Sequence, residues 1–153
     1  MKKIALLVLV MALAVAGSSF AQAKADFSGK WAPKVDANAA PPAGGGGRGG
    51  MGGGPMTVKQ TATELTTERT MGENTMSTSY KLDGTETVNK TQRGESKSTA
   101  KFDGAKLVIK TTAEGPNGPT ETTQTWSLSA DGKELTIVQA SARGDRTTVY
   151  TKQ

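Results

Sequence analysis

The chain has 153 residues, a formal net charge of +5, and neither histidine nor cysteine. This composition excludes disulfides, Cys–His zinc sites, and catalysis by a histidine base or a cysteine nucleophile. Only 5% of the residues are aromatic and the lysines are scattered, whereas nucleic-acid-binding proteins cluster basic residues on one face. The sequence therefore favours a non-enzymatic protein without a metal, a cofactor or a nucleic acid partner.

Residues 1–23 show the pattern of a secretory signal peptide. Two lysines follow the first methionine, residues 4–16 are an unbroken apolar run, and residues 21–23 read Ala-Gln-Ala, a small-residue cleavage site. The apolar run is shorter than the roughly 20 residues needed to span a bilayer. We expect cleavage after Ala23, export to the periplasm or the extracellular space, and no membrane-spanning segment in the mature protein.

Cleavage would remove two of the 19 basic residues and none of the 14 acidic ones, which leaves a formal charge of +3. The remaining chain, residues 24–153, has the length of a single domain.

The first predicted strand begins within the sequence Asp-Phe-Ser-Gly-Lys-Trp at residues 26–31. Its Gly29-x-Trp31 spacing resembles the motif that opens the first strand of lipocalins and related calycin barrels, among them small bacterial secreted proteins. The resemblance implies structural roles for Gly29 and Trp31, with Trp31 closing one end of a barrel under a basic side chain from near the last strand. Arg143 or Arg146 matches that basic residue, and a guanidinium over an indole ring is favourable in itself.

A glycine-rich insert follows at about residues 38–55. Glycine-rich chain loses much entropy on ordering and has little surface to bury, so we expect this insert to be disordered. In lipocalin-like barrels the corresponding loop lies over the mouth, which leaves a role as a lid open. A phosphate loop is not indicated, because no Lys-Ser/Thr pair follows the glycines.

From Met56 onward, short segments rich in Thr, Val and Ile alternate with Gly, Asn and Asp, which is typical of an antiparallel all-β meander. Asp83–Gly84, Asp103–Gly104 and Asp131–Gly132 are interpreted as hairpin tips with type I′ turns. With the first strand included, the pattern predicts strands at Phe27–Lys34, Met56–Gln60, Glu64–Met71, Thr75–Leu82, Thr85–Lys90, Ser96–Phe102, Ala105–Thr112, Thr120–Leu128, Lys133–Gln139 and Arg146–Lys152.

Alternation within the strands predicts which side chains face inward. Leu82 is assigned inward and Lys81 outward, and Leu128 is assigned inward and Ser127 outward. We expect the inward set to contain the ligand-contacting residues, namely Met76, Tyr80, Leu107, Ile109 and Trp126.

This pattern predicts an up-and-down sheet closed or nearly closed into a barrel of about 8 to 10 strands, because closure removes exposed edges. The favoured function is a binding module for a small apolar or amphipathic ligand, held in a cavity near the roughly 300 Å³ lower limit of small-molecule sites. The alternative is a structural or protein-interaction domain of the cell envelope, with a filled barrel and no ligand. Hydrolysis by a remote carboxylate pair is a third and weaker hypothesis, and the oligomeric state is left open.

Overall fold

The computed structural model describes residues 24–34, 54–71, 73–91, 94–115, 118–142 and 144–153. The ten predicted strands are all present in these ranges, which contain no helix, so the all-β prediction is confirmed. The predicted signal peptide and nearly all of the glycine-rich insert lie outside the described residues. The strands are β1 (Gly29–Pro33), β2 (Met56–Gln60), β3 (Glu64–Met71), β4 (Asn74–Lys81), β5 (Thr87–Thr91), β6 (Gly94–Asp103), β7 (Lys106–Gly115), β8 (Gly118–Leu128), β9 (Glu134–Ser141) and β10 (Arg146–Lys152).

The strands form one antiparallel sheet in the order β4-β3-β2-β1-β10-β9-β8-β7-β6-β5. The first and last strands pair directly, with Trp31 opposite Lys152. Contacts between β4 and β5, the two ends of this order, bring the sheet round into a nearly closed barrel. The predicted up-and-down barrel is therefore confirmed.

The interpretation of Asp83–Gly84 as a hairpin tip is wrong. Asp83 instead forms an isolated bridge with Lys101 on β6, and the Gly84 N–H donates to the Ala100 carbonyl at 3.0 Å. The Asp83 carboxylate accepts hydrogen bonds from the Thr85 backbone N–H at 2.8 Å and from its hydroxyl at 2.6 Å. This local turn ties residues 83–84 to β6, so β5 runs beside β4 without the backbone ladder of a hairpin.

Asp103–Gly104 is confirmed at the tip of the β6–β7 hairpin, but the turn is not type I′. Asp103 pairs with Lys106, so the two central residues are Gly104 and Ala105. Gly104 has φ of +60°, and no described residue other than glycine has a positive φ. One positive φ at the first central position fits a type II′ turn, whereas type I′ needs two. Asp131–Gly132 lies in the β8–β9 connection, as predicted, but Asp131 does not have a positive φ, so this turn is not type I′ either.

The seam between β4 and β5 is joined by side chains instead of a backbone ladder. The Asn89 carboxamide accepts from the Ser79 N–H at 3.0 Å and donates to the Ser79 carbonyl at 2.9 Å. The Thr87 hydroxyl accepts from the Lys81 N–H at 3.1 Å. Two β5 side chains thus satisfy backbone groups that β4 would otherwise leave unpaired at its edge.

Replacing Asn89 with alanine should lower the free energy of unfolding by about 1–3 kcal/mol, because both Ser79 backbone groups lose their partner. The matched control is Lys90→Ala, an exposed neighbour on β5, which should change stability by less than about 0.5 kcal/mol. Urea unfolding measures both changes, and hydrogen exchange at the Ser79 amide should accelerate in the Asn89 variant alone. Equal stability of the two variants would contradict the proposed closure of the seam.

Candidate functional site

Phe27 closes the end of the barrel at which β1 begins, which we call the plugged end. Its side chain is completely buried. The ring meets Trp126 of β8 edge-on at 5.8 Å between centroids and stacks near Phe102 of β6 at 6.3 Å. The Gln60 carboxamide accepts from the Phe27 N–H at 3.0 Å and donates to the Ala25 carbonyl at 2.9 Å. Residues before β1 are thereby fixed across the barrel.

Trp31 lies beside Phe27 and is 1% exposed. Its indole N–H donates to the Phe27 carbonyl at 2.9 Å, and the Lys152 ammonium lies 5.5 Å from the centre of its ring system. The assignment of Arg146 to this place is wrong, because Arg146 starts β10 opposite Gln139, at the far end of the strand from Lys152. Arg143 lies outside the described residues. A lysine therefore supplies the cation–π contact.

The glycine of the Gly-x-Trp motif makes room for that lysine. Gly29 has φ of +140°, and a Cβ atom there would lie 2.7 Å from Cε of Lys152. The backbone conformation disfavours any other residue here, and an added Cβ would also require the end of the Lys152 side chain to shift.

Gly29→Ala should therefore destabilise the protein by about 1–3 kcal/mol, through backbone strain and displacement of Lys152. Gly54→Ala is the matched control, because nothing lies within 4 Å of the added Cβ. Thermal or urea unfolding compares the two. A Gly29 variant as stable as the Gly54 variant would show that Lys152 does not need this space.

The predicted interior residues all face inward, but they do not form one site. Tyr80, Leu107, Ile109 and Trp126 belong to a single buried core cluster near the plugged end, with exposures of 7% or less. Met76 is half-buried and lies opposite Arg69, towards the other end. Close packing leaves little room for a ligand within the core cluster.

The inward positions nearer the other end of the barrel are largely polar, and we call this region the polar half. Ser96 and Ser98 are buried there, and Thr111 pairs with Thr122 across β7 and β8. A cavity of about 10 Å³, the size of one water molecule, lies between the core and this region. Its lining consists of Arg69, Gln124, Ile137, Gln139, Arg146, Thr148 and Tyr150.

Arg69 is the central cation of this cavity. Its guanidinium donates to the Tyr150 hydroxyl at 3.4 Å and to the Met56 sulfur at 3.3 Å, and it lies 5.9 Å from the centre of the Tyr150 ring. The ion pairs among described residues include neither Arg69 nor Arg146, and the cavity lining contains no acidic side chain. The cavity therefore has two formal positive charges and uncharged hydrogen-bonding groups.

Burial raises the pKa of Tyr80 to about 12, although the Arg69 charge acts in the opposite direction. Tyr80 is thus neutral at physiological pH and leaves the Arg69 charge uncompensated. Within the described ranges, no three acidic side chains lie close enough together to hold a metal ion. The arrangement is suited to holding an anion.

Arg69 was not among the ligand-contacting residues predicted from the sequence. The available signal was alternation in β3, where Leu65, Thr67 and Arg69 occupy successive inward positions and place a cation on the interior face. The partners of Arg69 come from β2 and β10, and that proximity depends on the folded barrel.

The sequence matches no family model and no curated protein. Among solved structures, the chain is similar to the REP1-NXSQ fatty acid transporter, at 16% identity and a TM-score of 0.57, over 83% of this chain and 96% of the other. It is also similar to a mutant of the fluorescent protein UnaG, at 19% identity and a TM-score of 0.53, over 65% and 70%. These likenesses establish a shared β-barrel fold, consistent with the lipocalin-like barrel that the sequence predicted. The described residues contain no helix capable of crossing a membrane.

Proposed function

We propose that this protein is a non-catalytic binding barrel for a small amphipathic anion. The observation that supports this function is the convergence of Arg69 and Arg146 on an interior cavity without an acidic residue. A partly buried guanidinium is stabilised by a paired anion. The anionic group of a ligand supplies the missing charge.

The hydrogen-bonding groups around the cavity favour a carboxylate. A guanidinium can bind both carboxylate oxygens, and charge-assisted bonds of this kind are stronger than neutral ones. Gln124 and Gln139 add carboxamide donors, while Ile137 and Met56 provide apolar surface for the rest of the ligand. The cavity must widen to admit such a molecule, and Arg146, whose side chain is exposed, can move outward.

The likeness to a fatty acid transporter agrees with this ligand class. At 16% identity, this likeness supports only the barrel fold. The proposal of an anionic ligand depends on Arg69 and Arg146.

Arg69→Gln should weaken binding of cis-parinaric acid, a fluorescent fatty acid, by about tenfold or more, because hydrogen bonds to charged groups contribute about 1.5–3 kcal/mol. Lys30→Gln, which removes one positive charge from the outer face of β1, is the matched control and should bind as the wild type does. The methyl ester of the probe should bind weakly to all three proteins. Equal binding of acid and ester, or no effect of Arg69→Gln, would refute an anion site at Arg69.

A filled barrel that contacts an envelope protein is the second candidate. The packed core cluster favours it, since Leu107 and Leu135 are completely buried and no interior cavity larger than about 10 Å³ is described around the arginines. Failure of both the acid and its ester to bind would favour this alternative.

Export is part of the proposed function and is supported by the signal-peptide pattern of residues 1–23. Mass spectrometry of the exported protein should find Lys24 as the first residue. An exported chain that retains residues 1–23 would refute cleavage after Ala23.

A further inference from the structure

Three polar side chains lie in one row across the interior face of β8, β9 and β10. Gln124 is the register partner of Gln139, and Gln139 is the register partner of Arg146. Side chains at such directly opposite positions have Cβ atoms about 5 Å apart, and all three line the Arg69 cavity. The row therefore places two carboxamides beside a guanidinium, and the orientation of each carboxamide decides what the cavity offers to a ligand.

Trp126 determines the orientation of the Gln124 carboxamide. The two residues are separated by one position on β8 and so share its interior face. The indole N–H of Trp126 donates to Oε1 of Gln124 at 3.0 Å. An indole nitrogen donates and does not accept, so the reverse orientation of the carboxamide would point its N–H₂ group at a second donor. Because Trp126 is only 1% exposed, that orientation would leave a buried N–H without an acceptor and is disfavoured.

The indole ring is itself held in place by the core. Phe27 meets it edge-on, with 5.8 Å between the ring centroids. Its register partners on the neighbouring strands are Leu107 and Ile137. All four residues belong to the core cluster, where close packing restricts rotation of side chains. The hydrogen bond to Gln124 therefore comes from a rigid donor.

The carboxamide nitrogen of Gln124 is left for the cavity. The oxygen is directed to Trp126, which does not line the cavity. The hydrogen bonds between described residues give the Gln124 nitrogen no acceptor. The guanidinium groups of Arg69 and Arg146 are also donors without acceptor atoms. Three donor groups thus line a cavity whose lining contains no acidic side chain.

We propose that Trp126 is a positioning residue that makes this site select an ionised carboxylate over a neutral carboxamide on the same apolar chain. This inference rests on the proposed binding of an anion in the Arg69 cavity. An ionised carboxylate has acceptors only and can accept from Gln124 and from both arginines. A ligand carboxamide carries an N–H₂ group as well, and this donor finds no acceptor among the three groups. Trp126 acts through Gln124, without contact to the ligand.

The test compares cis-parinaric acid with its primary amide, which share one apolar chain, so that a general change in packing alters both affinities alike. The measured quantity is the ratio of the amide Kd to the acid Kd. Trp126→Phe keeps an aromatic ring and removes the indole N–H, so the Gln124 carboxamide can turn and accept from the amide. The ratio should fall about threefold or more, as expected for the loss of one fixed hydrogen bond.

Gln124→Met removes the carboxamide itself and should also lower the ratio. The double variant Trp126→Phe, Gln124→Met should have the ratio of Gln124→Met alone, because the effect of Trp126 passes through Gln124. Additive effects of the two substitutions would overturn the positioning role.

The matched control is Trp31→Phe. It also removes the N–H of an indole that is 1% exposed, but this N–H donates to the Phe27 carbonyl at 2.9 Å, outside the cavity lining. The control should keep the ratio of the wild type. An equal fall in both Trp→Phe variants would attribute the effect to packing and would overturn the inference.

The wild-type protein allows a second measurement that needs no folded variant. The NMR signals of the Gln124 side-chain N–H₂ group should shift when the acid binds. If the wild type prefers the acid but these signals do not move, or if Trp126→Phe leaves the ratio unchanged, the inference fails and the proposed function stands. A wild type that binds neither probe, or both equally, would refute the anion site and this inference with it.

Discussion

Burial of Phe27 among aromatic rings from distant strands is the contact on which the shape of this barrel depends. Trp31 holds the Phe27 carbonyl, Gln60 holds its amide, and Trp126 and Phe102 meet its ring from the opposite wall. The segment before β1 therefore connects parts of the sheet that are far apart in strand order. Burial of large aromatic side chains is among the strongest stabilising contributions available to a small domain without disulfides.

This closure has a direct effect on where a ligand can be held. The plugged end concentrates the large apolar side chains, and the inward positions beyond them are occupied by serine, threonine, glutamine and arginine. An apolar molecule has little space in the packed half, whereas an anionic group finds two guanidinium groups at the border with the polar half. The same packing that stabilises the fold thus moves the candidate site away from the aromatic core.

The strands and their inward faces were predictable because alternation is a local property of the sequence. Trp126 and Ile109 are buried as their positions in the pattern required. The partner of Trp31 was not predictable, because it depends on the register between the first and last strands, which sets Lys152 opposite Trp31. The Asp83 turn escaped prediction for a related reason, since its hydrogen bonds to Thr85 compete with the hairpin geometry that Asp-Gly usually indicates. The inward position of Arg69 follows from the alternation in β3. Its contact with Tyr150 depends on β10, which only the folded barrel brings close.

The side-chain seam between β4 and β5 makes the circumference of the barrel adjustable. In a barrel whose neighbouring strands are all joined by backbone hydrogen bonds, widening the interior requires breaking a complete set of these bonds between two strands. Here the described seam between β4 and β5 consists of three side-chain hydrogen bonds at Asn89 and Thr87, while the Asp83 bridge and the Gly84 N–H tie the turn after β4 to β6. Their release lets the two edges move apart while the other strand pairs remain intact, and water can replace the lost partners at the surface. A barrel with a nearly filled interior can therefore enlarge without unfolding.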